Sequence, residues 1–278
     1  MNWFPRRKIM DYKNQAFDII IEGGQSNASG SGWGAVENEY IPDDDILYLT
    51  IDKKTSEGIK DGIWSLFLEY SENPLQISVA NECESDGKKI GDFALTFAKS
   101  YKEKYLAHGR KLLIIRAGVG GTGFMRKHWG VGDLVYEKML QAIDYALSLN
   151  PENKLVAFLW HQGEHDAFEG NLPDVFAGQL TDMLNSVKTR YNVPKLPFIS
   201  ADFVSEWKMQ NIDICAPIVA KIQEVTAAAN GEFIETADLL SNNQKNGGGD
   251  VIHFCRDALH ELGRRYFSAY EKIVTRTK

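Results

Sequence analysis

The chain has 278 residues, 44% of them apolar and 25% charged, with a formal net charge of −7. That apolar content is enough to bury a substantial core, and the acidic balance argues against a nucleic-acid partner, which needs a basic stripe. Cys83, Cys215 and Cys255 lie far apart with no CxxC pair, which argues against a cysteine-built zinc site.

The first fifteen residues, MNWFPRRKIMDYKNQ, hold no apolar stretch of signal-peptide length. No later apolar run approaches the length of a membrane span. The sparse cysteines also suit a reducing compartment. The expectation is a cytoplasmic protein with no membrane partner. No linker or internal repeat divides the sequence, so one domain is expected over 1–278, with its core at about 17–275.

Residues 17–23 read as the first strand, and 46–51, 111–118, 154–161, 197–203 and 232–237 as later ones. Most are continuous apolar runs, the pattern of strands buried on both faces. Between them, 92–108, 132–149, 173–191, 216–229 and 257–274 carry helical spacing, with Gly109 placed as a C-cap glycine. Strand and helix in alternation predict a parallel sheet with helices on both faces. The polar stretches 27–45 and 52–90 read as long loops that wall a site.

Ligands of open parallel sheets bind beyond the carboxyl ends of the strands. Unusual polar residues fall there four times: Gly24-Gln25-Ser26-Asn27, Gly118-Val119-Gly120-Gly121-Thr122, His161-Gln162-Gly163-Glu164, and Asp250-Val251-Ile252-His253. A serine nucleophile needs a base within reach, and the base needs an orienting carboxylate. Ser26, His253 and Asp250 supply these three roles, and one turn brings Asp250 to the His253 ring. The backbone N–H groups of Ser26 and Gly120, with the Gln162 amide, supply an oxyanion hole. Taken singly, each signal has a plainer reading, as an N-cap serine, a surface turn or a capped strand end. Their common position at one sheet edge is what joins them.

Two rival motifs fail on context. Gly118, Gly120 and Gly123 match G-x-G-x-x-G, but residues 124–130 open no helix and Asp144 lies inside a helical pattern. His161 and His165 bracket Glu164 in the wrong place for H-E-x-x-H, so no metal site is expected.

These residues resemble a known family. GQSN at 24–27, GGT at 120–122, QGE at 162–164 followed by Asp166, and DVIHF at 250–254 look like the blocks of the SGNH hydrolases. More narrowly they resemble the sialate O-acetylesterase-related branch, which includes carbohydrate esterase family six. The resemblance implies a flavodoxin-like, three-layer α/β/α sandwich around a five-stranded parallel sheet. It implies a serine esterase without a cofactor, acting on an acetylated oligosaccharide or other small acyl ester. Ser26 is then the nucleophile, His253 the base, Asp250 its partner, and Gly120 an oxyanion glycine. Gln162 stands where the wider superfamily carries asparagine. Ala28-Ser29-Gly30 departs from the methionine that often follows GQSN in the branch. Gln25, Asn27, Glu164, Trp129 and Phe254 are expected around the substrate, and Trp33, Phe124 and Trp207 are further candidates for stacking a sugar. The alternatives are a broader short-chain esterase or thioesterase, and a non-catalytic carbohydrate-binding protein.

Overall fold

The structure is a computed structural model that describes residues 12–51, 54–60, 63–69, 75–85 and 87–276. In chain order the strands are β1 (Phe17–Gly24), β2 (Ile46–Thr50), β3 (Lys54–Lys60), β4 (Ile63–Glu69), β5 (Ile77–Val79), β6 (Cys83–Ser85), β7 (Lys88–Ile90), β8 (Lys111–Gly118), β9 (Lys154–His161), β10 (Phe198–Ala201) and β11 (Glu232–Ile234). The helices are α1 (Ser26–Ser29), α2 (Ala94–Lys104), α3 (Leu134–Ser148), α4 (Glu164–Glu169), α5 (Pro173–Arg190), α6 (Ser205–Gln210), α7 (Ile212–Ala228), α8 (Asn242–Asn246) and α9 (Arg256–Arg276).

The central sheet has seven strands in the order β11-β10-β9-β1-β8-β2-β5. This corrects the expected five. All six strands read from the sequence are present and pair in parallel, and β5 adds an antiparallel edge on β2. Alternate residues of each inner strand serve opposite layers. Ile19 and Ile21 of β1, Leu113 and Ile115 of β8, and Phe158 and Trp160 of β9 join α3, α5 and α7 in one core. Ile20, Leu112, Ile114, Ala157 and Leu159 join α2 and α9 in the other. Burial on both faces is why these strands show runs of apolar residues and no alternation. The α2–α9 contact is close: a side chain at Gly263 would meet Phe93 O at 2.1 Å.

The stretch 52–90, expected as loop, is built differently where it is described. β3 pairs with β4 and β6 with β7 as antiparallel hairpins. Helix α2 stops at Lys104, capped by Tyr105, so Gly109 (φ 81°) serves the turn into β8 and no helix end. Among the described residues, no helix is long and apolar enough to cross a membrane.

The chain passes from β8 over β1 to β9, so strand order changes direction at the centre of the sheet. The carboxyl ends of β1, β8 and β9 therefore open on one crevice, the expected ligand position in such folds.

Candidate active site

β1 delivers Ser26. The strand ends at Gly24 with φ 140°, and a Cβ there would lie 2.1 Å from His161 O. Only glycine fits this close, left-handed turn. Ser26 then heads the single turn of α1, half-buried at the crevice. Ser29 and Ser31 donate their hydroxyls to Ser26 O at 3.0 and 2.9 Å, and the Arg116 guanidinium donates to Ser29 O from behind.

His253 arrives on the segment between α8 and α9. A capping box between Ser241 and Gln244 starts α8. Gly247, Gly248 and Gly249 all have positive φ, which turns the chain sharply back. Asn242 N–H donates to His253 O at 2.8 Å, and Asn243 N–H to Asp250 O at 2.9 Å. His253 Nε2 then lies 2.9 Å from Ser26 Oγ, and His253 Nδ1 lies 2.9 Å from Asp250 Oδ1 and 3.0 Å from Oδ2. Asn242 Nδ2 donates to Asp250 Oδ2 at 2.8 Å. Burial opposes the charge on Asp250, but the hydrogen bonds from His253 and Asn242 outweigh it and hold the carboxyl below the usual carboxylate range. A carboxylate here orients the ring with its proton on Nδ1 and leaves Nε2 to accept from the serine. The three residues expected as a triad are thus brought into one relay.

The glycine-rich loop after β8 faces Ser26. A Cβ at Gly120 would stand 3.6 Å from Ser26 Cβ. Among the described residues, no hydrogen bond engages the backbone N–H of Ser26 or of Gly120. Asp166, fully buried, fixes the far end of this loop. It accepts from Phe124 N (3.0 Å), Met125 N (3.1 Å), Gln162 Nε2 (2.6 Å) and Asn171 Nδ2 (2.8 Å). Thr122 Oγ1 donates to Val119 O at 2.7 Å and accepts from Trp129 Nε1 at 2.9 Å. Gly123 N–H donates to His128 Nδ1 at 3.3 Å. Burial, then the charges of Arg126 and His165, push His128 down to about 4, so it accepts as a neutral ring.

Gln162 departs from its expected place. Its amide nitrogen donates both to Thr122 O (3.2 Å) and to Asp166 Oδ2. Both amide hydrogens are committed, so Gln162 braces the loop and does not offer a donor to an oxyanion. Trp129 and Phe254, expected against substrate, are fully buried. Trp129 packs edge-on to Trp160 at 4.9 Å, and Phe254 edge-on to His161 at 5.6 Å. Phe124 is buried as well. These aromatics are core, and they shape the site only from behind.

Gln25 and Glu164 do reach the crevice wall. With His165, Phe168, Trp207, Gly249, Asp250, Val251 and Ile252 they line a cavity of about 370 Å³ beside the relay. Phe168 is 71% exposed there, and Trp207 is nearly buried. Trp33 does not line this cavity; its backbone N–H donates to Asn242 Oδ1 at 3.1 Å, and its half-buried ring lies under the Lys88 ammonium at 3.9 Å. Asn27 and Glu164 are buried and bonded to each other at 3.0 Å. Burial opposes the charge on Glu164, but His161 at 3.5 Å and the Asn27 amide hold it below the usual range. Among the described residues, no group of three or more His, Cys, Asp or Glu is placed to share a metal ion.

A family model described as carbohydrate esterase, sialic acid-specific acetylesterase, matches residues 16–272. The chain belongs to this family. The expected resemblance to sialate O-acetylesterases is therefore met, and the protein is a carboxylic ester hydrolase of the carbohydrate-esterase type. Among solved structures, NanS is similar at 16% identity with a TM-score of 0.72, over 94% of this chain and 98% of that one. A protein of Arabidopsis thaliana is similar at 20% identity with a TM-score of 0.62, over 92% and 98%. At these identities the likeness is one of fold. No curated protein matches the chain significantly in sequence.

Asn242 and Asp166 are the positioning residues that sequence reasoning left without a role. The S-x-x-Q capping box at 241–244 was a legible sign of a helix beside the Asp250 loop. Nothing in the sequence marks Asp166 as the common acceptor of four donors, because its partners lie up to 42 residues away.

Proposed function

We propose that this carbohydrate esterase is a serine O-acetylesterase that removes acetyl groups from sugars through an acyl-enzyme. The observation that carries the reading is the relay Ser26 Oγ–His253 Nε2–Asp250, with both links at 2.9 Å. His253 takes the Ser26 proton as the oxygen attacks the acetyl carbonyl carbon. The carbonyl π electrons move to oxygen, and the N–H groups of Ser26 and Gly120 face that charge. His253 then gives its proton to the departing sugar oxygen, and the C–O bond breaks. Water, deprotonated by His253, then attacks the acyl carbon; the bond from that carbon to Ser26 Oγ breaks, His253 returns the proton to Oγ, and acetate leaves. The cavity beside the relay suits the sugar, with Trp207 and Phe168 as apolar faces and Gln25 as a polar edge.

The test is acetate release from acetylated xylan, mannan and sialic acid oligosaccharides. Ser26→Ala and His253→Ala should each lower turnover on the order of 10⁴–10⁶-fold. Near-full activity of Ser26→Ala in a clean preparation would overturn the mechanism. The apolar lining by Val251, Ile252 and Phe168 favours one second reading, in which the cavity holds a longer acyl chain. A chain-length series of p-nitrophenyl esters separates the two: a sharp preference for acetate supports the sugar enzyme.

A further inference from the structure

Asn27 follows the nucleophile directly and is completely buried. Its carboxamide reaches 225 residues ahead, to the two peptide groups that flank His253. Nδ2 donates to Ile252 O at 3.2 Å, and Oδ1 accepts from Phe254 N–H at 3.1 Å. The same Nδ2 donates its other hydrogen to Glu164 Oε1 at 3.0 Å. An ionised carboxylate only accepts, so Glu164 dictates which end of the amide faces it. With Nδ2 turned to Glu164 and Ile252 O, Oδ1 is left for Phe254 N–H. A flipped amide would set oxygen against oxygen at both acceptors and nitrogen against nitrogen at Phe254.

We infer that Asn27 and Glu164 are positioning residues that clamp the His253 segment to the helical turn bearing Ser26. The inference rests on the proposed serine mechanism. Ser26 and Asn27 are neighbours in one turn, so the clamp ties the base to the nucleophile's own element. The 2.9 Å link between Ser26 Oγ and His253 Nε2 then survives small movements of the sheet. Asparagine is required by its length and polarity. Glutamine is one methylene too long. Aspartate would face Glu164 and Ile252 O, two acceptors, with a second carboxylate.

The experiment is a double-mutant cycle with p-nitrophenyl acetate. Asn27→Ala and Glu164→Gln are each made in the native sequence and in a His253→Ala background. In the native background Asn27→Ala should lower kcat about 10–100-fold with KM within about threefold, and Glu164→Gln should lower kcat about threefold to tenfold. In the His253→Ala background both changes should have no further effect, because the group they position is gone. Equal losses in both backgrounds, or an unchanged kcat for a folded Glu164→Gln, would overturn the inference. Glu164→Gln keeps side-chain volume, so it closes the cycle even where Asn27→Ala does not fold. Near-native activity of His253→Ala by itself would instead strike the serine mechanism and is recognisable before the cycle is read.

Discussion

Asp166→Ala tests how the glycine loop is held. The native carboxylate is fully buried and receives four donors, two of them main-chain N–H groups. Hydrogen bonds to a charged group contribute about 1.5–3 kcal/mol each, but removing the carboxylate also relieves its own desolvation. Buried neutral donors left without an acceptor cost about 1–3 kcal/mol each, and with the carboxylate's own desolvation relieved the net loss is about 3–5 kcal/mol. At roughly 2–4 °C per kcal/mol for a chain of this size, Tm should fall by about 6–20 °C. Turnover should fall about 10²–10³-fold, the range for losing one oxyanion donor, because the segment leading back to Gly120 loses its anchor. Asp166→Asn sharpens the test. It keeps the volume, yet each native oxygen accepts from two donors, so either amide orientation sets an NH₂ against N–H groups. It should therefore lose stability nearly as far as alanine. Thermal unfolding followed by circular dichroism, with acetate release on the same samples, gives both readings. An Asp166→Ala protein that melts within about 2 °C of the native one at full turnover would refute the reasoning.

Gly120→Ala should separate activity from folding. Its added methyl meets only Ser26, at 3.6 Å, and no left-handed φ stands in the way. Tm should stay within about 2 °C, while kcat/KM for acetyl esters falls about 10²-fold as the methyl crowds the carbonyl's approach; unchanged kinetics would count against Gly120 as an oxyanion donor. Glu82 sets an acid limit of stability. Burial opposes its charge, but hydrogen bonds from His260 and Arg256 hold its carboxyl at about 2, below the usual 4.5. A depressed carboxylate stabilises fully above its unfolded value and loses that contribution as pH falls through the folded value. Melting temperature should therefore drop with pH between 4.5 and about 2, and Glu82→Gln should flatten that slope; parallel curves for the two proteins would contradict it.

The strands were readable because burial on both faces leaves a simple trace. Ile19-Ile20-Ile21 and Leu112-Leu113-Ile114-Ile115 are apolar whichever core a residue enters. The relay was readable because its residue types are few and its spacing short, as in Asp250 to His253. Depth was not readable. Trp129 and Phe254 sit beside catalytic motifs in sequence but point into the layers behind them, and position along a loop does not distinguish inside from outside. Gln162 failed for a related reason: its type allows donation to an oxyanion, but Asp166, four residues on, claims the hydrogens. The hairpins carried an overlooked signal. Asp61-Gly62 and Asp86-Gly87 lie between the paired residues Lys60↔Ile63 and Ser85↔Lys88, and such dipeptides are strong hairpin markers. Surrounding polar composition made both stretches look like plain loop. Helix α4, six residues long after Gly163, is too short to show a period.

The central position of β1 has a consequence for biosynthesis. β1 leaves the ribosome first among the sheet strands, yet its two neighbours begin only at Lys111 and Lys154. Until they emerge, this strand, buried along its whole length in the folded protein, has nothing to zip onto, and long-range pairing of this kind forms slowly. The Ser26 hydroxyl is translated 227 positions before the imidazole that lies 2.9 Å from it. A polypeptide cut short before residue 253 therefore lacks the imidazole that faces the Ser26 hydroxyl, however much of the sheet it has formed.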